Sequence, residues 1–190
     1  MSLEFNSDVR AMDIPEILEA IAYANRRGVL VVGASGNEGT REVAYPARAV
    51  HVMSVASTTE HGCVSDFSNR GRGLDIAAPG GGEDALVPGD PNCRPEMPAG
   101  GDIYQVTLTG PRNRQRFGIP GAYHGTSMAA AHVSGVAALV LASGTLGPSP
   151  SPLALERHLE ATSRDFGRAG HDTLYGAGLI DADAATAPRP

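Results

Sequence analysis

The sequence predicts an α/β fold built on a mainly parallel sheet, and three observations carry that prediction. An amphipathic helical pattern from Asp13 to Gly28 runs straight into the continuous apolar run "VLVVGAS". Two further short apolar runs follow, "VHVMSVAST" from Val50 and "LDIAAPG" from Leu74. A long stretch of small and apolar residues then begins near Ser127. A helix feeding directly into a strand covered on both faces is the pattern of α/β units, whose strands lie parallel.

Each element has its own signal. In "DIPEILEAIAYANRRG", Ile14, Ile17, Leu18 and Ile21 recur at i, i+3, i+4 and i+7 and form one apolar face. Asp13 is expected to cap this helix, with Glu16 closing a capping box. Arg26 and Arg27 suit the negative end of the helix dipole, and Gly28 is the stop. From Gly80 to Gly121 the chain carries turn chemistry. Within it "IYQVTL" reads as a strand and "TGPRNRQRFGIPG" as a turn with a weaker strand, so the region is expected to form surface loops and a hairpin. The next helix is expected from about Ser127 to Leu141. Small and apolar residues on all its sides predict burial in the middle of the domain. Ser151 and Pro152 fit the N-cap and first position of a last amphipathic helix, "LALERHLEATS". "YGAGLIDADAATA" supplies a glycine-rich turn and a short closing segment.

Composition narrows the function classes. A chain of 190 residues suits one domain. All 15 basic residues are arginine, the net charge is −6, and no basic run stands out, which argues against nucleic acid as a partner. The apolar runs read as too short for a membrane span. Glu4 and Asp8 follow Met1 too soon for a secretory signal. The two cysteines, Cys63 and Cys93, have no CxxC or Cys/His spacing, so zinc is not expected. They are either unrelated thiols or, as their polar, Pro/Gly-rich surroundings favour, a surface disulfide made in an oxidising compartment.

Two segments carry chemistry. In "GTSMA", Gly125 to Ala129, a serine stands at the head of an apolar helix, where outward-pointing N–H groups favour developing negative charge. That helps an attacking Oγ and the oxyanion it creates. A bare serine in such a place is more often only an N-cap. The segment is not a G-x-S-x-G elbow, because Ala129 replaces the second glycine. In "GASGNEG", Gly33 to Gly39, a loop leaves a buried strand at the carboxyl edge of the sheet, where ligands of α/β folds bind. Asn37 there can donate its amide to an oxyanion, or simply occupy a turn.

Taken in order, "GASGNEG", "YPA", "VASTTEHGCVSDFSNRGRGLDIAAPG", "HGTSMAAAHVSG" and "YGAGLIDADAA" resemble the subtilisin-like serine peptidases, over nearly the whole chain from Ile14 to Ala185. The resemblance implies a three-layer αβα fold and serine endopeptidase chemistry. It implies that this chain is the carboxyl-terminal part of one catalytic domain, with a loop-rich insertion at 80–121. Ser127 matches the family's nucleophile and Asn37 its oxyanion-hole asparagine, with the Ser127 N–H as second donor. Ala34, Ser35 and Gly36 match the strand that walls the S1 pocket, and Gly125 and Thr126 lie in the substrate-binding segment. Tyr45–Pro46 matches a pair often joined by a cis peptide. No cofactor is required, although backbone carbonyls of that loop could hold a weak structural cation, calcium or sodium. Two positions depart from the pattern: Ala131 stands where proline usually precedes the helix histidine, and Glu4 stands where glycine is usual.

The family's triad order is Asp, His, Ser. The first two segments would precede everything in this chain. His61, His124 and His132 are expected to be solvent-facing or hydrogen-bonded rather than to act as the base. The sheet is therefore expected to be incomplete, the isolated chain inactive, and the partners to be a polypeptide substrate and the missing amino-terminal part of the same domain. A secreted or cell-surface location fits. The alternative is a non-catalytic remnant or binding module on the same fold.

Overall fold

The computed structural model describes residues 8–98, 100–109, 116–119 and 121–188. The expectation for Glu4 lies outside them. A 3₁₀ turn, Ala11–Asp13, leads into helix α1, Pro15–Arg26. Asp13 does not cap α1. Its carboxylate instead accepts from the Arg10 N–H at 3.0 Å, and Ile14 stands at the N-cap without a side-chain bond. Proline at the first helical position compensates in part, since it has no N–H to satisfy.

Strands β1, Val31–Ala34, β2, Val52–Thr58, and β3, Ile76–Pro79, follow the three apolar runs, each starting about two residues later than the run itself. They form one parallel sheet in the order β1-β2-β3, with Val31 opposite Val52 and Val55 opposite Ile76. β2 is buried at all seven positions, as a central strand between two covered faces must be. Alternation sorts the side chains. Val32, Ala34, Met53, Val55, Ile76 and Ala78 face helix α2, Thr126–Ser143, and make the main core with Leu155, Leu159 and Ala185. Ala56 and Ala77 face the other side and pack with Val43, Val64, Leu74 and Tyr175. Helix α1 lies on that second side, over Val31, Gly33 and Val52.

Helix α2 is 18 residues long, apolar enough by length and composition to cross a bilayer, but it packs along all three strands as a core helix. It is not buried on every side. Ala129, Ala130, Val133, Val136, Ala137 and Val140 face the sheet, whereas Ala131, His132, Gly135, Ala138 and Leu139 are exposed. Those exposed positions recur at helical spacing, so they form one bare face. Helix α3, Pro152–Ala161, is capped by Ser151, whose Oγ accepts from the Ala154 N–H at 3.2 Å. A short helix α4, Ala182–Thr186, closes the described chain.

The insertion splits its expected strand in two. Ile103–Tyr104 (β4) pairs with Ala122–Tyr123 (β7), and Thr107–Leu108 (β5) pairs with Phe117–Gly118 (β6), both antiparallel. Cys63 and Cys93 are joined, 30 residues apart in sequence. The bond is not a surface one, because Cys63 is fully buried in the second core. It clips the insertion to the turn after β2, and closing a loop of this length stabilises the fold by about 3–4 kcal/mol in the chain-entropy account. Tyr175 supports the same clip. Its hydroxyl donates to Asp90 at 2.7 Å and accepts from the Val64 N–H at 3.1 Å, and burial together with the Asp90 bond holds the phenol well above its ordinary range.

Candidate active site

Two loops leave the carboxyl end of the sheet and meet the first turn of α2. The first continues β1. Buried Ser35 extends the ladder, its N–H donating to the Val55 carbonyl at 3.0 Å. Gly36 adopts φ +108°, and a side chain there would start 2.2 Å from the Asn69 amide, so only glycine fits. The second loop continues β3. Gly80 accepts the Gly125 N–H at 2.9 Å, and a side chain on Gly80 would start 2.7 Å from the Gly125 carbonyl. Gly125, at φ +148°, is the N-cap of α2. Thr126 and Ser127 are its first two helical residues, so Ser127 is not itself the cap.

Thr126 joins the loops. It is fully buried, and it gives both its N–H, at 2.9 Å, and its hydroxyl, at 3.0 Å, to Asn37 Oδ1. Its Oγ1 also accepts the Gly36 N–H at 3.3 Å. Two donors on one oxygen fix the Asn37 amide and turn its NH₂ to the opposite side. Asn37 is thereby tied to the residue next to Ser127, and Ala34, Ser35, Gly36, Gly125 and Thr126 all belong to the same corner. Ser127 lies where the positive end of the α2 dipole is strongest. It lines a cavity of about 570 Å³ with Met128, with Ile103, Tyr104 and Gln105 of the insertion, and with the bare face of α2. Such an arrangement suits a hydroxyl nucleophile beside hydrogen-bond donors for an oxyanion.

Asn69 holds the Asn37 loop and was not singled out by sequence reasoning. Fully buried, it accepts the N–H groups of Glu38 at 3.1 Å and Thr40 at 3.0 Å. Its amide donates to the Glu38 carboxylate at 2.6 Å, its carbonyl accepts from Ser35 Oγ at 2.9 Å, and its N–H reaches the Gly36 carbonyl at 3.0 Å. Its position within "DFSNRG" was the available signal. Asp102 was also missed, and nothing in its local sequence marks it. It accepts from the Gly82 N–H at 3.0 Å and from His124 Nδ1 at 3.3 Å.

His61, His124 and His132 are all hydrogen-bonded. His124 is held by Asp102 and stacks on Phe67 with ring centroids 5.4 Å apart. His132 donates from Nδ1 to the Met128 carbonyl at 2.9 Å, within its own helix. His61 donates to Asp84 at 3.0 Å beside the disulfide. Burial pushes Asp84 upward, but hydrogen bonds from Thr59, the Arg94 N–H and His61 outweigh it and leave the carboxyl below its ordinary range. The Tyr45–Pro46 peptide is cis, as the resemblance implies. Among the described residues, carboxylates able to share a cation are found away from that loop, where Asp75, Glu156 and Glu160 place oxygens within 4.8 Å of one another.

The fold is that of a subtilase. The subtilase family model matches residues 5–178, and the chain belongs to that family. Alkaline elastase YaB of Bacillus sp. (strain YaB) is 36% identical over 168 residues, which are 88% of this chain and 35% of that one. Subtilisin Savinase of Lederbergia lenta is 36% identical over 168 residues and 50% of its own length. Among solved structures, a protease from Pseudoalteromonas arctica PAMC 21717 superposes with a TM-score of 0.75 at 31% identity, over 98% of this chain and 49% of that one. A lanthipeptide protease gives 0.70 at 28% identity, over 92% and 55%. The chain thus spans about half, or less, of the relatives it matches.

Proposed function

We propose that this chain supplies the nucleophile and the oxyanion hole of a serine endopeptidase, with Ser127 as nucleophile and Asn37 and the Ser127 N–H as oxyanion donors. The observation that carries this reading is the double hydrogen bond from Thr126 to Asn37 Oδ1, which ties the Asn37 amide to the residue next to Ser127. Attack of Oγ on a peptide carbonyl moves charge to the carbonyl oxygen, and preorganised donors stabilise that charge without reorganising. Ala34, Ser35, Gly36, Gly125 and Thr126 bind the substrate backbone around the bond to be cut. No cofactor takes part.

The base and its acid come from a complementary amino-terminal segment of the same domain. Two surfaces support this: the bare apolar face of α2 from Ala131 to Leu139, and the β1 edge of the sheet, whose only strand partner among the described residues is β2. Alone, the 190-residue chain carries no histidine matched to the family's general base, and it turns over poorly or not at all. The buried disulfide fits a secreted or cell-surface location. Polypeptide hydrolysis by the chain alone and together with a subtilase amino-terminal segment tests the reading. Turnover is expected only in the mixture. Strong turnover by the chain alone that is lost in His124→Ala would instead make the Asp102–His124 pair the base.

A further inference from the structure

Although no basic run is visible along the chain, folding gathers three of its arginines around one cavity. Arg41, Arg70 and Arg72 line an open pocket of about 440 Å³. Its remaining wall is largely apolar, from Leu86, Val87 and Leu174. None of the three arginines has a carboxylate partner among the ion pairs of the described residues. This is unexpected in a chain of net charge −6, where acids outnumber bases by 21 to 15. Half-buried Arg70 gives up part of its hydration without a counter-charge in return.

The arginines sit on backbone that is pinned. The Gly71 N–H donates to the Thr173 carbonyl at 2.9 Å, and the Arg70 N–H donates to the Thr40 carbonyl at 3.0 Å. Gly71 lies so close that a side chain on it would start 2.5 Å from the Arg41 carbonyl. Three chain segments, 40–41, 70–72 and 173–174, are therefore locked side by side, and the first two present the guanidinium groups from fixed Cα positions. The pocket shares no lining residue with the cavity of Ser127, yet Thr40 links it to the Asn37 loop through Asn69.

We propose that this pocket is a second binding site, for a stretch of polypeptide that carries acidic and apolar side chains together. Guanidinium groups match carboxylates in two-point geometry, and three of them select for more than one acid. The volume is larger than a single small anion fills, and Leu86, Val87 and Leu174 offer apolar contact that an inorganic ion cannot use. The chain's net charge of −6 disfavours acidic polypeptide overall, so a local cationic pocket gives it a preferred place to dock.

The test does not depend on peptide hydrolysis. A fluorescein-labelled peptide of alternating glutamate and leucine is titrated against the protein by anisotropy, in a Ser127→Ala background so that nothing is cut. Saturable binding is expected, weakened at least about tenfold by replacing glutamate with glutamine, and similarly by Arg41→Gln/Arg70→Gln/Arg72→Gln. Because Arg72 is exposed, Arg72→Gln alone serves as the variant whose folding is secure, and it is expected to lose several-fold. Equal binding of the two peptides, no loss in the triple variant, or no binding at all overturns the proposal. Complete displacement by inorganic phosphate at the peptide's own concentration overturns it in favour of a simple anion site.

Discussion

The two ends of the three-stranded sheet are built from opposite materials. At the carboxyl end, glycines and neutral amides meet: Gly36, Gly80 and Gly125 allow backbones to touch, Thr126 donates to Asn37, and Asn69 accepts the N–H groups of Glu38 and Thr40. At the amino end, Asp75 just before β3 meets Glu156 and Glu160 from α3, three like charges within 4.8 Å. Asp75 is partly compensated, since its carboxylate accepts both the N–H and the hydroxyl of Ser54, at 2.6 and 2.9 Å. On the proposed function, the first end holds donors in place for a charge that appears only during reaction. The second carries resting charge that the fold must tolerate. Substitutions at the carboxyl end should therefore be read in rate, and those at the amino end in stability.

The largest effect expected on that contrast is at Ser127. In protein assembled with a complementary amino-terminal segment, Ser127→Ala should remove peptide turnover and leave the melting temperature within a few degrees of the parent. Retained turnover breaks the assignment of the nucleophile. Next comes Asn37→Ala, for which kcat should fall by about 10²–10³, the loss measured for such a donor in subtilisin. Stability should fall as well, by about 1–3 kcal/mol, because the N–H and hydroxyl of fully buried Thr126 lose an acceptor. A change in KM with unaltered kcat would show that Asn37 only binds substrate.

Asn69→Ala sharpens the contrast, because Asn69 touches the loop and not the reacting atoms. It removes partners from the Glu38 N–H, the Thr40 N–H and the Glu38 carboxylate at once and leaves part-buried N–H groups unsatisfied. A loss of about 2–3 kcal/mol in urea unfolding is expected, together with a fall in kcat smaller than that of Asn37→Ala. Asn69→Asp keeps the acceptor and should recover the Thr40 contact while repelling Glu38, which separates positioning from packing.

Much of the carboxyl end was legible in the sequence because the chemistry there demands particular residue types. Glycine where φ is positive and an asparagine beside a helix-leading serine are local constraints, readable from "GASGNEG" and "GTSMA". The three strands were legible because burial on both faces leaves only apolar runs, although their starts were not, since Val29, Val50 and Leu74 are apolar without being hydrogen-bonded into the ladder. What sequence could not show is convergence across distance. Asp75 and Glu156 are 81 positions apart, and Arg41 and Arg72 come together only through Gly71. Helix α2 misled for a related reason. Its composition is apolar all round, which reads as full burial, yet among the described residues one face is left exposed.

The smallest expected effect belongs to the amino end and concerns pH. Burial, then repulsion from Asp75 and Glu160, pushes Glu156 up to about 6 from an ordinary 4.5, and Arg157 opposes this only in part. Asp75 and Glu160 are raised as well, each first by burial, while His171 lowers both. The folded state thus holds the Glu156 proton more tightly than the unfolded chain does. Its contribution to stability is fully present below about pH 4.5 and is lost as pH rises through about 6. Because Glu156 is only half-buried, solvent screening reduces the effect to about 1 kcal/mol between pH 5 and pH 7. Urea unfolding at the two pH values measures it. Glu156→Gln removes the charge without removing the side chain, so the variant should be the more stable protein at pH 7 and nearly equal to the parent at pH 5. A variant less stable at pH 7 would mean that the carboxylate is attractively partnered there, and the two ends of the sheet would then differ in composition but not in electrostatic load.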